Sequence, residues 1–173
     1  EDQRRLQRAI QEYIATQKTT LERPEARVNL GNLYSSQGDF VQAEDYYRQA
    51  LAIDPLFTPA TANLADMLRV QGRDDEGEAL LREGLARQPQ SGALHYSLGL
   101  LLVRKGESEA ALSELQKAAE LDPDSSRFVY VYAVALDSAG RPDEALEVAE
   151  GGLARHRSDP SLLQLVMQLR GDQ

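Results

Sequence analysis

Glycine recurs at Gly38, Gly72, Gly106 and Gly140, each 34 residues after the last, and proline keeps the same interval at Pro55, Pro89 and Pro123. Both residues punctuate helices: glycine accepts the left-handed backbone that ends one, and proline cannot continue one. A chain whose breakers return at one period repeats one structural unit. An interval of 34 residues holds two helices and two turns. The chain is thereby constrained to a stack of helical hairpins.

Aligning the chain on its glycines shows what each hairpin packs with. Leu30, Leu64, Leu98 and Tyr132 form a column of large residues, followed by a small column, Gly31, Ala65, Gly99 and Ala133. Tyr34, Leu68, Leu102 and Leu136 form a second large column. Beyond each glycine come Ala43, Gly77, Ala111 and Ala145, then Tyr47, Leu81, Leu115 and Ala149, then Ala50, Gly84, Ala118 and Gly152. Spacings of three and four are helical, twice per repeat. Small residues let two helix axes approach to about 8–10 Å while large ones fill the grooves. The pattern predicts an all-α fold of antiparallel helix pairs at residues 24–57, 58–91, 92–125 and 126–159.

These columns resemble the tetratricopeptide repeat family over essentially the whole chain. The stretch Leu30-Gly31-Asn32-Leu33-Tyr34, with Gly38, Ala43, Tyr47, Ala50 and Asp54-Pro55, stands close to the family consensus, and three further copies keep phase with it. Two departures occur. Arg27, Thr61, His95 and Val129 stand where an aromatic is common, and Arg157 takes the place of the fourth closing proline, with Pro160 three residues late. The resemblance implies a right-handed α-solenoid of four repeats with flanking helices, and a non-enzymatic scaffold for protein–protein interaction.

Both ends add helix. Ala9, Tyr13 and Thr16 precede Ala43, Tyr47 and Ala50 by one period, so residues 2–21 read as the second helix of an incomplete repeat and residues 1–23 as its remnant. This points to a parent chain that extends upstream. Glu1 rather than methionine opens the sequence, so either a leader has been removed or the chain is part of something longer. At the other end Ser158 or Asp159 can cap a helix with Pro160 in its first turn, and Leu162, Leu163, Leu165, Val166 and Leu169 give it an apolar face. Residues 160–173 are expected to close the array, with Gly171-Asp172-Gln173 as its tail.

Composition narrows the partners. A net charge of −9 opposes binding to nucleic acid or anionic membrane, and no run approaches the roughly 20 apolar residues of a membrane span. No cysteine is present, which removes disulfides and thiolate metal sites and leaves the compartment open between bacterial cytoplasm and periplasm. Sixteen arginines against three lysines point to a GC-rich bacterial genome. No catalytic constellation, metal site or cofactor loop is expected. His95 and His156 have no second ligand at metal spacing, and the acidic run Asp74-Asp75-Glu76 opens a helix without the pattern of a calcium loop.

By the resemblance, ligands lie in a concave groove lined by the first helix of each pair. Residues off the packing columns then form ladders: Val28, Ala62, Tyr96 and Tyr130; Asn29, Asn63, Ser97 and Val131; Asn32, Asp66, Leu100 and Val134. The far edge carries Ser35, Arg69, Val103 and Asp137, then Ser36, Val70, Arg104 and Ser138. Asn29, Asn32 and Asn63 are expected to anchor the backbone of a peptide or helical segment, with Asp66, Arg69 and Arg104 alongside. Tyr96, Leu100, Tyr130 and Val134 are expected to take its apolar side chains. A family subset clamps chaperone carboxylate tails with basic residues beside such asparagines. Here Val28, Ala93 and Ser97 replace those bases, which argues against that ligand. Three alternatives remain open: the strip packs on the end helix, it makes a homodimer, or the array is an accessory domain of a larger bacterial enzyme or electron-transfer protein.

Overall fold

The 34-residue beat becomes backbone geometry at the glycines. Gly38, Gly72, Gly106 and Gly140 have φ of 78°, 73°, 77° and 75°, and they alone have positive φ among the described residues. In each turn the residue after the glycine donates its N–H five residues back: Asp39 to Tyr34, Arg73 to Leu68, Glu107 to Leu102 and Arg141 to Leu136, at 2.9–3.0 Å. This closes the helix through a left-handed terminal residue, a conformation that strains any side chain.

The computed structural model describes residues 2–171. Among them are ten α-helices and no strand: α1 Asp2–Lys18, α2 Pro24–Ser36, α3 Phe40–Ile53, α4 Thr58–Val70, α5 Asp74–Arg87, α6 Gly92–Lys105, α7 Ser108–Leu121, α8 Ser126–Ser138, α9 Pro142–Arg155 and α10 Pro160–Gly171. Their starts follow the capping chemistry of the sequence. Asp39, Ser91 and Ser125 accept from the backbone N–H groups of Gln42, Leu94 and Phe128. Asp159, rather than Ser158, caps α10, accepting from Ser161 and Leu162 with Pro160 in the first turn.

The chain divides into two compact units, residues 1–80 and 81–173, and the boundary falls inside α5 between Gly77 and Gly84. In the first unit, Val28, Ala43, Tyr47, Ala50, Ala60, Leu64, Met67 and Leu68 form one buried cluster. Gly31 is small because Tyr47 lies on it: a Cβ there would stand 2.5 Å from Tyr47 Cε1. In the second unit the same relation holds between Gly99 and Leu115, at 2.7 Å. Where the opposing residue is Ala149, the small column has Ala133, and both are fully buried in a cluster with Leu136, Ala145, Leu165, Val166 and Leu169.

Two features differ from the sequence reading. The N-terminal helix stops at Lys18 instead of residue 21. Thr16, Thr19 and Thr20 turn their hydroxyls back onto the carbonyls of Glu12, Thr16 and Gln17, a local alternative to the helical ladder. Tyr34 and Tyr132, placed in the large packing columns, are only half-buried.

Candidate functional site

The first unit holds a polar cluster built on α2 and α4. Asn32 Oδ1 accepts from the Tyr47 hydroxyl at 2.7 Å and from Asn63 Nδ2 at 2.8 Å. Burial pushes the Tyr47 phenol up to about 12, so it stays a protonated donor throughout the neutral range. The two asparagines are thus joined across consecutive repeats. The Nδ2 group of Asn32 and the Oδ1 atom of Asn63 have no further hydrogen bond among the described residues. Together with Ser35, Asp66, Met67 and Val70 they border an open cleft of about 450 Å³. Asp66 Oδ1 lies 3.6 Å from Arg69 Nε, a contact that ties these two groove residues to each other. Asn29 is turned toward the N-terminal helix, where its Nδ2 donates to Gln17 Oε1 at 3.2 Å.

The second unit is apolar at the equivalent positions, and here the structure corrects the expected ladder. Tyr96, read as a groove residue, is 7% exposed. Its ring stacks on Phe128 with centroids 4.5 Å apart, and Arg127 lies over it, the guanidinium 5.2 Å from the ring centre with Nε donating to the hydroxyl at 3.0 Å. Val28 and Ser97 are likewise buried. Tyr130 and Val134 are half-buried and pack toward the cluster that contains Leu165, Val166 and Leu169 of α10. What remains open is a smaller cleft of about 180 Å³ where Leu100, Val103, Val131 and Val134 meet Leu112 and Ser138. Leu100 and Val134 are therefore brought together, Tyr96 and Tyr130 are not, and Arg104 lies exposed near the end of α6.

Sequence reasoning missed three groups. Phe128 and Arg127, which enclose Tyr96, stand off every column, and only their one-turn proximity to Val131 and Tyr130 hinted at a shared face. A second cleft of about 470 Å³ lies where α7, α8 and α9 meet, bordered by Glu120, Tyr132, Glu147, Gly151 and Arg155. The histidines are also engaged: His95 meets the Glu114 carboxylate through Nδ1 and the Pro89 carbonyl through Nε2, and His156 Nε2 meets the Pro123 carbonyl at 3.1 Å. Burial alone would raise the Glu114 carboxyl, but hydrogen bonds from His95 and then Lys117 outweigh it and hold the group below the ordinary carboxylate value. No cluster of three or more His, Asp or Glu suited to a metal ion occurs among the described residues.

Repeated hairpins closed by left-handed glycines, with small residues seated under large ones, are the construction of one repeat class. The chain belongs to the tetratricopeptide repeat family, whose model matches residues 1–158. Among solved structures it is similar to pilF of Pseudomonas aeruginosa, with 26% identity over 84% of this chain and 67% of that one and a TM-score of 0.73. A MamA fragment from Desulfovibrio magneticus RS-1 is 20% identical over 80% of this chain and 78% of its own, with a TM-score of 0.64. YrrB, described as a TPR protein with an unusual peptide-binding site, is 21% identical over 92% and 93%, with a TM-score of 0.60. At those identities the last two speak for the fold alone. No curated protein matches the chain. The family's common role is to scaffold contacts between proteins, and no helix among the described residues is long and apolar enough to cross a membrane.

Proposed function

We propose that this chain is a non-enzymatic docking module for segments of partner proteins, and that each unit by itself offers one kind of contact. In the first unit Asn32 and Asn63 present a spare amide donor and a spare carbonyl acceptor on adjacent repeats, the pair that a peptide backbone group requires. In the second unit Leu100, Val131 and Val134 offer a cleft of about 180 Å³, room for one branched aliphatic side chain of a segment. The observation that carries this reading is the Tyr47–Asn32–Asn63 chain of hydrogen bonds, because it pre-orients the anchor before any ligand arrives.

Tyr96 is excluded as a probe because its removal would open the core around Phe128. The test is selection of peptides from a random display library on the wild-type protein, followed by affinity measurement on variants. Asn32→Ala with Asn63→Ala should weaken peptides held by the first unit, and separately Val134→Glu those held by the second, each by about tenfold or more, the equivalent of ~1.4 kcal/mol. Peptides that bind both variants as well as wild type would remove the proposal.

A further inference from the structure

The α8–α9 hairpin leaves empty a space that the α6–α7 hairpin fills. In the earlier hairpin His95 of α6 meets the Glu114 carboxylate of α7, and Lys117 donates to the same carboxylate at 3.0 Å, so three side chains occupy the seam between the helices. One period later those positions hold Val129 on α8 with Val148 and Gly151 on α9. The valines carry no polar group, and Gly151 has no side chain. The cleft of about 470 Å³ where α7, α8 and α9 meet opens at this place. Its lining falls within residues 116–155, on consecutive helices that α10 follows, so it does not arise from either end of the chain.

The lining has two characters. Its floor is apolar: Val129 and Leu136 are buried, and Val148 and the Tyr132 ring are half-buried beside them. Its rim is acidic, with Glu120 of α7 and Glu144 and Glu147 of α9 all bordering the cleft. One period earlier those three positions are the neutral Ala86, Ala110 and Ser113. Glu144 is held by Arg141 at 2.6 Å, and Glu120 accepts from Gln116 at 2.8 Å. Glu147 has no hydrogen bond or ion pair among the described residues. Arg155, the cation of the lining, is turned to Asp124 at 3.4 Å. Burial raises the Tyr132 phenol above its ordinary value, Arg141 opposes this, and Glu144 and Glu120 reinforce it, which puts both carboxylates within electrostatic reach of the ring.

We propose that this cleft receives an arginine side chain of a partner protein. The occupant must match an apolar floor and an anionic rim at once. Arginine does both: its aliphatic stem covers Val129 and Val148, its guanidinium stacks on the Tyr132 ring, and its N–H groups face the carboxylates of the rim. A purely aliphatic side chain would bury those carboxylates without a partner, and an anionic one would be repelled by them. The contact uses neither the Asn32–Asn63 anchor nor the cleft at Leu100 and Val134, so it stands apart from the docking contacts proposed above.

The probe is a short capped peptide of glycine and serine with one central arginine, titrated into the isotope-labelled whole chain. Saturable NMR shifts are expected at the amides of Gly151 and Gly152. Replacing the arginine with citrulline, which keeps its shape and loses its charge, should weaken binding about tenfold. Glu120→Gln with Glu147→Gln should weaken it about fivefold. Gly151→Leu should weaken it about tenfold or more by filling the cleft; a Cβ at Gly151 meets nothing within 4 Å, so the leucine enters without straining the fold. Circular dichroism checks that each variant keeps its helices, and the carboxylate variant serves if Gly151→Leu does not. Equal affinity for the citrulline peptide, or of these variants for the arginine peptide, would overturn the proposal, as would no saturable shift in wild type. Tighter binding of free agmatine than of the peptide would overturn it in favour of a small cationic ligand.

Discussion

Replacing Gly31 with alanine should damage the polar anchor from a buried position that no partner touches. The added Cβ would stand 2.5 Å from Tyr47 Cε1, 2.7 Å from Cδ1 and 3.0 Å from Cζ. Carbon atoms rest about 3.5–4.0 Å apart, so the ring must retreat by about 1 Å. Tyr47 is 2% exposed, and the open side left to it is the cleft it borders with Asn32 and Asn63. A shift of that size carries its hydroxyl, now 2.7 Å from Asn32 Oδ1, beyond hydrogen-bonding range. Overpacking costs about 1–3 kcal/mol. The lost hydrogen bond adds about 0.5–1.5 kcal/mol, while alanine recovers about 1 kcal/mol of helix propensity. The expected net loss is roughly 2 kcal/mol.

Repeat arrays do not unfold in one step, so the loss is best read by native-state hydrogen exchange at the amides of α2 and α3. The side-chain amide resonances of Asn32 and Asn63 report the anchor directly. Adding Tyr47→Ala to Gly31→Ala should make the pair cost less than the sum of its parts by about 1 kcal/mol or more. A stabilised Gly31→Ala, or strictly additive losses, would refute the size-matching argument.

Two further expectations concern other parts of the fold. Because the Glu114 carboxyl titrates lower in the folded chain than in the unfolded one, its contribution is whole above the unfolded value and is lost as pH falls through the folded one. Glu114→Gln should cost about 1–2 kcal/mol at neutral pH and flatten the acid limb of a stability–pH curve for residues 81–173. An unchanged acid limb would count against the His95 and Lys117 contacts. Within α5, Gly77 and Gly84 each cost about 1 kcal/mol of helix stability relative to alanine, so amides between them should exchange faster than those of α7, and uniform protection would contradict this.

The hairpins were legible because their breakers and small residues answer to backbone geometry, which repeats with the sequence. Gly38 and its three successors have the left-handed conformation their spacing demanded, and Gly31 and Gly99 stand in the small column the alignment showed, though only the structure pairs them with Tyr47 and Leu115. The groove was read less well. A first helix is covered on both flanks, and how much of its outer face survives depends on helix crossing, which residue patterns do not contain. Val28 and Tyr96 occupy ladder positions like those of Ala62 and Tyr130, yet both are buried. For Tyr96 the covering residues are Phe128 and Arg127, from the following repeat. The length of α1 escaped for another reason: Thr16 inside it and Thr19 and Thr20 just beyond it look neutral in a periodicity count, and their effect is exerted through hydroxyl bonds to the backbone.

The seating of Tyr47 on Gly31, and of Ala149 near Ala133, bears on how such a gene can be recombined. Gly31 and Tyr47 lie on opposite sides of the turn at Gly38. A crossover at the glycines would join the first helix of one repeat to the second helix of another, pairing Ala133 with Tyr47 and forcing a methyl into the ring. A crossover at the prolines moves each matched couple intact. Duplication and shuffling of these units, by evolution or by design, should therefore tolerate cuts at Pro55, Pro89 and Pro123 and be penalised at Gly38, Gly72, Gly106 and Gly140.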